Sequence, residues 1–161
     1  MKIFGIILGG ISALILLAVL ALGAASELGY LPSPDTFSAD EIPEKYIAQL
    51  KEVNIIEENE IVYYFYSAGF WSILEDGNLF TDRRAISYET YEDQLYVYSA
   101  TYNEIEEIEM KKSDELWGTS EIEITKEDGS WFVLYADNEG DKDMLFFEGL
   151  NETWRGKPEP Q

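Results

Sequence analysis

The sequence predicts an α+β chain in which an N-terminal transmembrane helix precedes a mainly antiparallel β domain closed by a C-terminal helix. Three observations predict it. Residues 3–25 (IFGIILGGISALILLAVLALGAA) are apolar and carry no charge. From residue 61 onward, aromatic and β-branched runs are broken by turn signals, the pattern of short antiparallel strands. Residues 141–155 return to helical spacing, with Met144, Phe147, Leu150 and Trp154 on one stripe. A chain of 161 residues holds one domain of ordinary size plus an anchor. The expected divisions are an anchor at 1–26, a linker and short helix at 27–58, and the β domain with its terminal helix at 59–157.

At 1.5 Å rise per residue the apolar run spans a hydrocarbon core of about 30 Å and exceeds the apolar region of a secretory signal. A cleavable signal is the competing reading: Lys2 supplies a positive start, and Ala21, Gly23, Ala24, Ala25 and Ser26 offer small residues for cleavage. The greater length favours a retained anchor. Gly9, Gly10, Ser12 and Ala13 form a small-residue patch that lets a second membrane helix approach. Lys2 precedes the run, whereas Glu27, Asp35, Asp40, Glu41 and Glu44 all come before the next base, Lys45. The positive-inside rule then places the amino terminus in the cytoplasm and exports the domain, as a single-pass membrane protein.

After the anchor, Leu31-Pro32-Ser33-Pro34-Asp35 reads as an extended linker, because proline disfavours helix at the residue before it. Ser38 or Asp40 is positioned to cap a helix reaching about Val53, with Ile42, Tyr46, Ile47 and Leu50 on one face and Pro43 in its first turn. Strands are expected at 61–67, 70–74, 79–81, 85–91, 94–102, 105–111, 121–125 and 130–136. Asp76-Gly77 and Asp128-Gly129 mark tight hairpin turns that accept positive φ. Ile122 and Ile124 alternate with Glu121 and Glu123, the mark of a half-buried strand. The terminal helix has acids near its start and Arg155 at its end, as the helix dipole prefers, and Gly156 and Pro158 stop it.

The chain has 32 acidic and 11 basic residues, a net charge of −21, and Lys2 is its only charge before Glu27. The excess therefore sits on the folded part. Such a surface repels phosphates, so neither nucleic acid nor anionic lipid headgroups are expected as ligands; a basic protein partner is the specific alternative to simple solubility. With no cysteine there is no disulfide or thiolate nucleophile, and with no histidine there is no His-based triad or two-His zinc site. No cofactor is expected, and the balance falls toward binding without catalysis.

Arg83 and Arg84 stand out in a domain so poor in bases, and as strand neighbours they point to opposite faces. The favoured role for Asp82, Arg83 or Arg84 is ion pairing that fixes a hairpin, with a ligand-facing arginine as the minority reading. Tyr96, Tyr98 and Tyr102 share one face of a strand, and Tyr63, Tyr64, Phe65, Tyr66, Phe70 and Trp71 crowd another pair. Most of these rings are expected in the core. Tyr96, Tyr98 and Tyr102 are the candidates for an exposed interaction patch. The acid-rich stretch from Asp137 to Glu148 misses the calcium-loop template, because Lys142 stands where the turn glycine belongs. Glu104, Glu106, Glu107 and Glu109 read as a solvated face, and the Asn151-Glu152-Thr153 sequon falls inside a helix, where it is accidental. No metal site is expected.

Leu79-Phe80-Thr81-Asp82-Arg83-Arg84-Ala85-Ile86 resembles the "TDRR" strand of bacterial pleckstrin-homology-like domains. The later order of elements is similar to the same family: 102–110, the Asp128-Gly129 turn and the helix from Met144 to Trp154. The resemblance covers roughly residues 60–155. It implies a partly open barrel of two packed antiparallel sheets with one end plugged by the terminal helix, and a binding or scaffolding module with no shared chemistry. The family's membrane-associated members are commonly cytoplasmic, against the outward orientation read from the flanking charges. The functional expectation is therefore a membrane-anchored, non-catalytic interaction or scaffolding module with an acidic exported domain. The alternatives are a small accessory subunit of a membrane complex, or a carboxylate-based hydrolase requiring two acids about 5–10 Å apart, one with a raised pKa.

Overall fold

The structure, a computed structural model, describes residues 15–17, 19–20, 35–116 and 118–156. Most of the apolar run, the charges Lys2 and Glu27 beside it, the small-residue patch and the linker at 31–34 lie outside the described residues. Ile15, Leu16, Leu17, Val19 and Leu20 are helical and exposed. Among the described residues, no helix is long and apolar enough to cross a membrane.

Ten elements follow: β1 (Thr36–Ser38), α1 (Glu44–Glu52), β2 (Val62–Tyr66), β3 (Asp76–Thr81), β4 (Arg84–Tyr91), β5 (Gln94–Thr101), β6 (Ile105–Lys111), β7 (Thr119–Lys126), β8 (Trp131–Asp137) and α2 (Lys142–Arg155). They form one five-stranded antiparallel sheet in the order β1-β2-β3-β4-β5 and one three-stranded sheet in the order β6-β7-β8. β8 lies against β2, β3 and β4, and α2 packs on β8 and on β1, β6 and β7. Two antiparallel sheets and a C-terminal helix fit the pleckstrin-homology-like arrangement that the sequence resemblance implies.

The centre of the five-stranded sheet is buried on both faces. One face gives Phe65, Leu79, Ile86 and Tyr88 to a core shared with Tyr46 and Leu50 of α1 and with Ile55, Ile56 and Ile73. The other gives Phe80, Ala85 and Ala100 to a second core, with Ile122, Ile124, Phe132 and Leu134 of the smaller sheet and Phe146 and Leu150 of α2. This is why aromatic runs such as VYYFY fold without a wholly exposed face.

Several elements differ from the expectation. Helix α1 starts later, with Pro43 at its cap; Ser38 instead closes the preceding turn, where its hydroxyl and N–H both donate to the Glu41 carboxylate (2.6 and 3.0 Å). The segment 70–74 is a loop: Glu75 accepts the backbone N–H groups of Phe70 (2.6 Å) and Trp71 (3.2 Å), and Ser72 Oγ accepts that of Leu74 (3.1 Å). With its donors held locally, the segment has few left for a ladder. Of the expected stripe on α2, Leu150 is buried as read, but Asp143 and Phe146 take the interior places given to Met144 and Phe147, and Phe147 and Trp154 are only partly buried. Asp143 enters the interior because the Ser120 hydroxyl donates to it at 2.6 Å. The Asp128-Gly129 turn is present, with Gly129 at φ 81°.

Asp76-Gly77 is not a turn; both residues lie in β3, and Gly77 faces Tyr88 across the β3–β4 ladder. Glycine is required there for space, since an added Cβ would lie 2.2 Å from the Tyr88 hydroxyl, which itself donates to the Ile73 carbonyl (2.7 Å). Gly77→Ala is expected to lower stability by about 1–3 kcal/mol through this overpacking. A denaturant midpoint within error of the parent's would show that Tyr88 yields freely.

Candidate functional site

Strand register assembles a polar row that no single strand contains. On the face turned toward the smaller sheet, Thr36, Tyr66, Asn78, Ser87 and Tyr98 are cross-strand partners from β1 to β5. The row is buried at Thr36, Tyr66 and Asn78 and opens to solvent at Tyr98. Beside it, toward the open end of the sheet, runs the row Asp76, Glu89 and Tyr96. On the opposite side, Phe80, Ala85 and Ala100 pass into the core.

Where β8 leaves the sheet it crosses, these rows become the floor of a groove of about 390 Å³. Its polar floor is Asp76, Asn78, Ser87 and Glu89, and its walls are Tyr98 of β5 and Trp131, Val133 and Tyr135 of β8. The walls follow from period-two alternation on β8: Phe132, Leu134 and Ala136 are buried, which turns Trp131 and Tyr135 outward, exposed at 64% and 41%. None of the described residues lining the groove is basic.

The electrostatics are those of uncompensated acids. Burial pushes the Asp76 carboxyl above its ordinary pKa; the Ala68 N–H, donating at 2.8 Å, opposes the shift, and the neighbouring Glu75 and Glu89 add to it. Burial also raises Asp137, at the far end of β8; the Glu139 N–H and the Lys142 charge oppose the shift, and the Asp35 and Glu139 charges add to it. Tyr66, between these acids, is pushed up to about 12 by burial and by the Asp76 and Asp137 charges. Asn78 accepts the Ser87 hydroxyl at 3.0 Å, and its Nδ2 has no hydrogen-bond partner among the described residues. The floor therefore offers two carboxylates and one free amide donor.

The sequence candidates divide. Tyr98 lines the groove; Tyr96 is exposed one row out, cross-strand from Glu89, its hydroxyl donating to Gln94 Oε1 at 3.1 Å. Tyr102 does not join them. It sits beyond β5 in a short 3-10 turn, buried, and its hydroxyl donates to the Thr81 carbonyl. Burial raises its pKa. Arg83 and Arg84 lie at the opposite end of the β3–β4 hairpin from the groove. Arg84 forks onto the buried Glu60 through Nε and Nη2, both at 2.9 Å, and reaches the Ile55 carbonyl at 3.2 Å. Arg83, more exposed, pairs with Glu57 and with Asp82. Both arginines thus hold the 55–60 segment to the hairpin. Among the described residues no group of three or more His, Cys, Asp or Glu is placed to hold a metal ion.

Trp131, Tyr135, Asn78, Ser87 and Glu89 were not legible as site residues. The available signal was the second phase of the WFVLYA run, which puts aromatic rings on the face opposite Phe132 and Leu134.

No family model matches this chain, and no curated protein matches it. Solved structures similar to it include a DUF1696-family protein with a pleckstrin-homology domain from Shewanella loihica PV-4, at 17% identity over 76% of this chain and 97% of that one, with a TM-score of 0.49. A pleckstrin homology domain from Shewanella amazonensis SB2B is 18% identical over 69% of this chain and 83% of that one (TM-score 0.43). A PH-domain-containing bacterial protein from Exiguobacterium sibiricum 255-15 is 13% identical over 79% and 77% (TM-score 0.46). Likeness at this level carries no function across, and the reading of the groove rests on this chain's own residues.

Proposed function

We propose that this chain is a non-catalytic protein-interaction module, held at a membrane by residues 3–25, whose acidic exported domain receives a basic partner in the groove between its sheets. The observation that carries the reading is the pairing of aromatic walls with unneutralised acids. A lysine or arginine side chain of the partner would lie against Trp131, Tyr98 and Tyr135, where cations are attracted to ring faces, and would neutralise Asp76 and Glu89. The Asn78 amide would donate to a partner carbonyl. The net charge of −21 favours the same kind of partner at longer range.

The test is capture of the full chain in mild detergent, followed by association kinetics at several salt concentrations. Association should slow as ionic strength rises, because the Debye length shrinks from about 30 Å at 0.01 M to about 10 Å at 0.1 M. Saturable binding to anionic-lipid vesicles at physiological salt would overturn the charge argument. Protease accessibility in spheroplasts checks the topology: protection of the domain would reverse it.

A second reading has one observation in its favour. Asp76 and Glu89 are directly opposed on β3 and β4 within the groove, and Asp76 has a raised pKa. Paired carboxylates with separated pKa values are the machinery of glycoside hydrolysis. Release of reducing ends from glycans by the full chain, abolished in both Asp76→Asn and Glu89→Gln, would establish that reading over the first.

A further inference from the structure

Strand β5 is the outer strand of the five-stranded sheet and is paired on one side only. Its register with β4 determines which backbone groups are left over. The hairpin loop is the two residues Glu92 and Asp93, at φ 48° and 62°, as a type I′ turn requires. The closing pair Tyr91 and Gln94 of such a loop exchanges both hydrogen bonds, and bonded pairs recur at every second position. Tyr96, Tyr98 and Ala100 are thus turned to β4, while Leu95, Val97, Ser99 and Thr101 direct their N–H and C=O groups outward. The Thr101 N–H is taken by the Glu104 carboxylate at 2.7 Å, which agrees with this register and closes the far end of the strand. The outward N–H groups of Leu95, Val97 and Ser99 have no such partner among the described residues.

Edge strands are ordinarily protected by shortness or by charge. β1 has three residues, and β6 carries Glu106, Glu107, Glu109 and Lys111. β5 has neither protection: its eight residues, QLYVYSAT, include no charge, and Tyr96, Val97 and Tyr98 are 38–45% exposed. Acids flank the open stretch at both ends, with Glu89, Glu92 and Asp93 at one and Glu104 and Glu106 at the other.

We propose that β5 is a docking edge that takes an extended segment of a basic partner as a sixth strand, its centre uncharged and its two ends carrying lysine or arginine. The inference rests on the basic-partner reading and adds the backbone geometry by which that partner is held. Charge selects the occupant: the acids at both ends of β5 attract basic flanks, whereas a second copy would bring two strongly negative domains together. Hydrogen bonds to Leu95, Val97 and Ser99 supply sequence-independent affinity, and alternate side chains of the added strand fall beside Tyr96 and Tyr98, next to the groove.

The experiment measures binding of the peptide Lys-Lys-Thr-Val-Thr-Val-Thr-Lys-Lys to the full chain at low salt, beside the same peptide N-methylated at alternate central residues. Val97→Pro removes one outward donor without touching the ladder to β4, a position where edge strands tolerate proline. Val97→Pro and the methylated peptide should each weaken binding by roughly tenfold, with melting unchanged. If both bind as the parents do while Tyr98→Ala weakens binding, strand addition is overturned and the groove reading stands. If neither peptide binds, both readings fail together. Should Val97→Pro not fold, the methylated peptide alone decides. Self-association of the parent chain, abolished by Val97→Pro in sedimentation, would assign the edge to a second copy and overturn the proposal.

Discussion

Replacing Glu60 with alanine is expected to cost the fold about 3–5 kcal/mol, the loss that follows when one partner of a buried ion pair is removed. The Glu60 side chain is fully buried and accepts four donors: Arg84 Nε and Nη2 at 2.9 Å, the Thr81 hydroxyl at 2.8 Å and the Glu57 N–H at 2.9 Å. Removing it takes both carboxylate contacts from the Arg84 guanidinium, which keeps only the Ile55 carbonyl, and leaves the Thr81 hydroxyl only the longer contact to the Arg84 carbonyl at 3.3 Å as acceptor. Burial alone would raise the Glu60 pKa, but the Arg84 fork, the Glu57 N–H and the Thr81 hydroxyl outweigh it and hold the carboxyl below its ordinary value of 4.5. A carboxyl depressed in the folded state stabilises above its unfolded pKa and loses that contribution as pH falls through the folded value. Asp76 and Asp137 act with the opposite sign, because their raised folded values relieve a cost as they protonate. Acidification therefore relieves the cost at Asp76 and Asp137, while below the ordinary 4.5 of a glutamate it removes the stabilisation at Glu60. Urea titrations at several pH values check this, and Glu60→Gln should show much less of that acid loss. An acid limb of unchanged slope in that variant would remove Glu60 from the account.

Trp131→Ala is expected to weaken capture of a basic partner by roughly thirtyfold or more, the effect of truncating a hot-spot aromatic, with little change in melting. The ring is 64% exposed and forms one wall of the groove, so its removal strips binding surface while leaving the core beneath Phe132 in place. Tyr98→Ala should act in the same direction. If Trp131→Ala unfolds the domain, the ring is structural and the groove loses its strongest wall. If melting and capture are both unchanged, cation recognition at this site is wrong.

The strands were legible wherever aromatic and β-branched residues crowd together, because burial of the larger sheet's centre on both faces rewards those side chains in either phase. Residues 61–67 and 85–91 folded nearly where composition placed them. The segment 70–74 misled because its FWSIL pattern has strand character, while Glu75, outside the pattern, takes the backbone donors at its start. Asp76-Gly77 misled for a related reason: aspartate followed by glycine reads as a tight turn, and the need to make room for Tyr88 is visible only once β3 and β4 are paired. The groove was the least legible feature. Its floor depends on the register of β3 with β4, and its walls come from β5 and β8, far apart in the chain, so no local pattern announces it. The arginines were legible as hairpin anchors, whereas their buried partner, Glu60, was hidden in an acidic stretch that resembles any solvated one.

The closing contacts of the domain also set an order of events during synthesis. Thr36 accepts the Asp137 N–H at 3.0 Å across 101 positions, and Asp35 receives Lys142 at 2.6 Å across 107. At roughly 5–20 residues per second, β1 leaves the ribosome on the order of 5–20 s before the segment that fixes it. The β4–β5 hairpin needs only its own two-residue turn, and such hairpins form in roughly 1–10 μs once free. The nascent domain therefore carries a formed hairpin with an open, uncharged edge for seconds before β8 arrives. That interval is when the edge of β5 is most open to pairing with another chain.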